Sequence, residues 1–195
     1  ERPHFHLVVL HLRQRAAVGA HQQRAEFARQ HLALFRRRAA PAAADRAQTE
    51  SKKLNTILDE YFEEYLQQNP ILATSIGDPR YNDRFVVGIS PAAIAADEKL
   101  QRDYLAKVQT VDRSALAGQD LLSYDVFKTA REREIEGLKF PDELIPLNQF
   151  YSTPNSFAQL GSGNGMQPFK TVQDYDNFLK RLDGFFAWTD QAIVN

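Results

Sequence analysis

From Lys53 to Gln68, Leu54, Ile57, Leu58, Tyr61, Phe62 and Tyr65 recur at three- and four-residue spacing, while Asp59, Glu60, Glu63 and Glu64 take the opposite side. That period is the signature of an amphipathic helix. Pro70 must end it, because the residue before a proline is pushed out of the helical region. A second helix is predicted where Ser90 offers an N-cap and Pro91 a first-turn residue, with Leu100, Tyr104, Leu105, Val108 and Val111 along one side. A third runs from about Gln119 to Glu136, where Gly137 reads as its C-cap. The fourth opens on Thr171-Val172-Gln173-Asp174, an acidic form of the capping box, and carries Tyr175, Phe178, Leu179, Leu182, Phe185, Phe186, Thr189 and Ile193 as a broad apolar stripe. So wide a face must bury against something. Asn195 nevertheless stands almost within this helix, with no closing element beyond it.

The pattern therefore predicts an all-α protein: a helical array of about four main helices with one long irregular loop, about 141–170, in an incomplete domain. The loop has no helical period over roughly thirty residues, a length usually kept for function or mobility. It contains Pro146-Leu147-Asn148-Gln149-Phe150-Tyr151, read as a short extended piece, and Gly161-Ser162-Gly163-Asn164-Gly165. The glycines lack the Lys-Ser/Thr pair of a phosphate loop and the preceding strand of a dinucleotide fingerprint, so they read as a flexible turn or hinge.

Composition divides the chain. All five histidines, His4, His6, His11, His21 and His31, lie at the start, and residues 1–50 hold nine arginines, no lysine, no serine and no tyrosine. That head carries a net charge of +5 and the remaining 145 residues −6. Three readings fit residues 1–48: a basic arm for phosphate-bearing partners, a targeting peptide, and a disordered or frame-shifted extension not native to the rest. The absence of serine speaks against targeting, and the abrupt change of residue usage favours the third. His4-x-His6 with His11 lacks the further ligands of a complete metal site. Nucleic-acid binding is accordingly not expected.

From Ser51 onward the chain is long enough to bury one core. Cysteine is absent, which removes disulfides, thiolate metal sites and a cysteine nucleophile. No apolar run reaches the roughly 20 residues of a membrane span. Without histidine after position 31, a Ser-His-Asp triad has no base there. The carboxylate pairs Glu132/Glu136 and Asp59/Glu63 sit one turn apart but lack a histidine partner, and Lys128 four residues before Glu132 marks an ordinary solvated helix face.

One cluster is more specific. Asn69-Pro70-Ile71-Leu72-Ala73-Thr74-Ser75-Ile76-Gly77-Asp78-Pro79-Arg80-Tyr81-Asn82-Asp83-Arg84 is a helix stop, one apolar turn and a charged Gly-Asp-Pro reversal. Its order resembles a bacterial family catalogued as domain of unknown function 885. Leu121-Leu122-Ser123-Tyr124-Asp125, Pro146-Leu147-Asn148-Gln149, Phe169-Lys170-Thr171, Asp174-Tyr175 and Arg181-Leu182 are similar to further family segments, so that the likeness spans residues 53–195.

The resemblance implies an all-helical fold related to zinc metallopeptidases in bacterial proteins often exported to the cell envelope, several of them lipoproteins. The family's His-Glu zinc helix would lie beyond Asn195, so no catalytic residue, metal ligand or cofactor is expected here, and zinc only in a full-length relative. Two function classes remain open. In one, residues 51–195 are the N-terminal helical part of a hydrolase, inactive alone, lending Asn148, Gln149 and Tyr151 to bind a peptide substrate. In the other, the chain is a non-enzymatic binding or scaffold protein of the envelope. Its partners would be the missing C-terminal helices, or a second copy through self-association. The resemblance favours a periplasmic or envelope location, although this sequence shows neither export signal nor lipobox.

Overall fold

The computed structural model describes residues 42–148, 150 and 152–195. Its five histidines and the Arg36-Arg37-Arg38 cluster lie outside the described residues. The chain divides into two compact units, Glu1–Thr49 and Glu50–Asn195. In the first, the described residues 42–49 are helical.

The second unit is all-α. It contains α1 (50–68), α2 (Pro70–Ser75), α3 (Pro91–Gln109), α4 (Gly118–Gly137), α5 (Thr153–Leu160) and α6 (Val172–Val194). Among the described residues the only extended pairing is an isolated antiparallel bridge between Leu147 and Ser152. Leu54 and Ile57 of α1, Leu100, Tyr104 and Val108 of α3, and Tyr124 of α4 form one buried cluster with Val111 and Leu116 of the α3–α4 connection. Each such side chain contributes about 1.5–3 kcal/mol by leaving water. Tyr61 is the aromatic centre of this packing: its ring meets Tyr104 edge-on at 5.2 Å, Phe127 edge-on at 5.1 Å and Tyr65 in a stack at 5.5 Å.

Local chemistry sets the boundaries. Asn69 Nδ2 donates to the Tyr65 carbonyl at 2.9 Å where α1 stops, and Pro70 opens α2. Gly77 then adopts φ +86°, the left-handed conformation glycine tolerates best. Its N–H donates to Thr74 O at 3.1 Å and the Asp78 N–H to Ala73 O at 2.9 Å, which is a Schellman closure. The Ser90 hydroxyl accepts from Ala93 N at 3.2 Å at the start of α3, and the Thr171/Asp174 capping box at the start of α6 is complete.

Two expectations are corrected. The stretch 141–170 is not one irregular loop, because it holds α5. Ser152 caps that helix by accepting from Asn155 N at 3.4 Å, and Phe157 and Leu160 bury its single apolar edge. Gly137 is also not a left-handed C-cap: it is the last helical residue of α4, Leu138 follows as C-cap, and its φ is not positive.

Candidate functional site

Of the three residues expected to bind substrate, Gln149 and Tyr151 lie outside the described residues. Asn148 is exposed, and its Oδ1 accepts from Phe150 N at 2.9 Å, a local turn contact. The carboxylate pairs are on the surface: Glu63 is engaged by Arg80 at 2.6 Å and Glu132 by Lys128. Arg80 also grips Asp78, and its N–H donors hold both carboxyls below their ordinary range. Among the described residues no three or more His, Cys, Asp or Glu side chains stand together as a metal set.

A different group of side chains converges. A cavity of about 390 Å³ opens between α1, α3 and α4, floored by Tyr61, Tyr65, Gln101 and Arg131 and edged by Asp97 and Glu134. Helical spacing assembles it: Asp97, Gln101, Tyr104 and Val108 share one side of α3, and Tyr124, Phe127 and Arg131 one side of α4, with Leu138 at its C-cap. Arg131 is only 8% exposed and Gln101 2%. The Arg131 guanidinium lies 4.2 Å from the Tyr61 ring centre and 5.1 Å from that of Phe127, so two aromatic rings carry its charge. Its Nε and Nη1, however, are sealed from solvent without a hydrogen-bond acceptor.

Gln101 is half satisfied. Its Nε2 donates to Asp97 Oδ1 at 2.6 Å, while Oε1 is buried and receives no donor. Burial pushes the Arg131 guanidinium below its ordinary value, and Glu134 offsets part of that shift. Burial raises the Tyr65 hydroxyl, and the nearby carboxylates Glu134 and Asp97 raise it further. Buried polar atoms normally find partners. A guanidinium and two carboxylates lining one concave site give it capacity for charged groups of both signs.

Sequence reasoning missed this constellation. The signal was present as Arg131 and Gln101 standing at apolar-period positions of α4 and α3, where a charge or amide must be buried. A second buried arginine, Arg181 of α6, is fully enclosed but fully used. Its Nε donates to Arg84 O at 3.1 Å, its Nη2 to Tyr81 O at 3.0 Å and Pro70 O at 3.3 Å and to Thr74 Oγ1, and its Nη1 to Gln167 Oε1. Thr74 in turn donates to Asn82 Oδ1 at 2.7 Å. Desolvation pushes the Arg181 guanidinium down to about 10, so it stays charged at neutral pH. It fastens the 70–84 segment to α6 and, fully enclosed, presents no donor to a ligand.

A family model described as a bacterial protein of unknown function (DUF885) matches residues 70–195, starting at the first residue of α2 and running through the Gly-Asp-Pro reversal to the end of α6. No curated protein and no solved structure matches the chain.

Proposed function

The chain belongs to that DUF885 family of bacterial proteins, and on this premise we propose that residues 51–195 are the N-terminal helical part of a zinc-peptidase-like hydrolase of the cell envelope. In this reading the chain walls a substrate cleft, Asn148, Gln149 and Tyr151 lend hydrogen-bond groups to a peptide, and the zinc-binding helix belongs to later sequence. A zinc-activated water would do the chemistry there, and no residue of this chain takes part in that step.

The observation that carries the reading is the outer side of α6. Val172, Tyr175, Leu179, Phe186 and Ile193 fall on one helical side, and each is more than half exposed. An exposed apolar stripe of that kind marks a contact with other protein, and the remaining helices of a larger family domain are the occupant that fits.

The test is to express the gene to its stop codon and measure bound zinc and hydrolysis of a peptide library. The expected result is one zinc per chain and cleavage that chelator abolishes. A product that binds no zinc and cleaves no peptide would leave the non-enzymatic binding or scaffold reading in its place.

A further inference from the structure

We propose that the cavity between α1, α3 and α4 is a binding site for a small zwitterion of the amino-acid type, its carboxylate on the Arg131 side and its ammonium towards Asp97 and Glu134. The inference does not rest on the hydrolase reading, because it concerns groups that lie wholly within the second unit and that no zinc chemistry uses.

The argument is one of charge and donor balance. On the donor side stands one buried guanidinium whose Nε and Nη1 donate no hydrogen bond and which has no carboxylate within ion-pair distance among the described residues; a buried charge left in that condition is costly. On the acceptor side stand two carboxylates, Asp97 and Glu134. A simple anion would relieve Arg131 but meet two negative charges. A simple amine would suit the carboxylates but leave Arg131 unpaired and add a second positive charge beside it. A molecule carrying both charges a few ångströms apart answers both sides at once.

Size and polarity agree. The cavity volume of about 390 Å³ falls near the low end of small-molecule sites. Ile94, Val86 and Leu138 add apolar lining, so an aliphatic side chain on the ligand is accommodated. Tyr65 closes the set as a hydroxyl held in its neutral form by burial and by the same carboxylates.

Isothermal titration of the full chain with three probes tests this. L-leucine carries both charges, isocaproate is the same skeleton without the ammonium, and isoamylamine is the same skeleton without the carboxylate. Leucine should bind, and each singly charged probe should bind at least about tenfold more weakly, the loss expected for one charge-assisted hydrogen bond. Arg131→Met should abolish leucine binding without lowering Tm, since the Tyr61 and Phe127 ring contacts it gives up are offset by relief of two buried N–H groups that have no acceptor. Glu134→Gln, at an exposed position, should keep the fold and bring the leucine affinity down towards that of isocaproate. Equal binding of isocaproate or of isoamylamine, no binding of leucine at millimolar concentration, or leucine affinity unchanged in Glu134→Gln would each overturn the proposal. If Arg131→Met unfolds, the guanidinium is a structural cation on the Tyr61 ring, and the probe series together with Glu134→Gln decides the outcome.

Discussion

Two buried arginines in one small fold show that burial alone does not tell what a charge is for. Arg181 spends its donors on neutral acceptors, three of them backbone carbonyls of residues 70–84. Replacing it takes from Arg84 O and Gln167 Oε1 the donor each has here, and from Tyr81 O and Pro70 O one of two, at about 1–3 kcal/mol for each group left unpaired. Arg181→Met should therefore cost more than about 3 kcal/mol, read as a lower urea midpoint at unchanged m-value, and a midpoint within error of the parent would refute the role of this hub. The same substitution at Arg131 strands nothing and should leave stability level or higher. Carboxylates supply the pH dependence. Asp174 is held below its ordinary range by the backbone N–H groups of Thr171 and Lys170, and Asp125 by Arg113. Because the folded value lies below the unfolded one, these contacts act fully above about pH 4 and are lost as the pH falls through the folded values. Asp174→Asn should accordingly lower the urea midpoint at neutral pH, and the penalty should shrink at acid pH as the parent carboxyl takes up its own proton. A penalty of equal size at neutral and acid pH would mean that charge is not what the capping box uses.

At the scale of elements, the glycines of α4 and α6 make opposite predictions from one substitution. A Cβ at Gly184 would stand 2.7 Å from Phe85 O and 2.8 Å from Phe85 Cβ, so α6 can lie this close to the 85 segment only with glycine there. Gly137 has open space around it. Gly184→Ala should destabilise by about 1–3 kcal/mol through overpacking, whereas Gly137→Ala should stabilise by up to about 1 kcal/mol through helix propensity. Thermal melts of the two variants decide it, and a stabilised Gly184→Ala would contradict the close approach. This contrast also marks what the sequence could reveal. The starts of α3 and α6 and the stop of α1 were legible because Ser90-Pro91, Thr171 with Asp174, and Asn69-Pro70 act on their own backbone within a turn. Helix α5 was hidden because Thr153-Pro154-Asn155-Ser156 has little helical propensity and only Phe157 and Leu160 are buried, a stabilisation supplied by distant residues such as Phe85, Phe178 and Phe185. Gly184 was silent for the same reason. The cavity was half visible: Arg131 interrupts an apolar period in plain sight, but that its donors lack acceptors follows only from three helices meeting.

For the whole molecule, the exposed side of α6 governs behaviour in solution. The apolar stripe read from the sequence as one buried face is divided by the fold. Trp188 is buried and stacks on Phe185, which stacks in turn on Phe157. Val172, Tyr175, Leu179, Phe186 and Ile193 point outward at 55–79% exposure. They lie close to one line along the helix, so two copies can bury the stripe against each other with the spacing of a helix pair. The chain on its own should then self-associate at tens of micromolar, seen as a concentration-dependent sedimentation coefficient and as binding of a hydrophobic dye. Leu179→Glu combined with Phe186→Glu should restore a monomer and silence the dye without lowering Tm, because both side chains are already more than half in water. On the hydrolase reading, the product of the gene expressed to its stop codon should be dye-silent without any substitution. A chain that sediments as one monomeric species at every concentration and binds no dye would show that the stripe attracts neither a copy nor other helices, and the hydrolase reading would lose the observation it stands on.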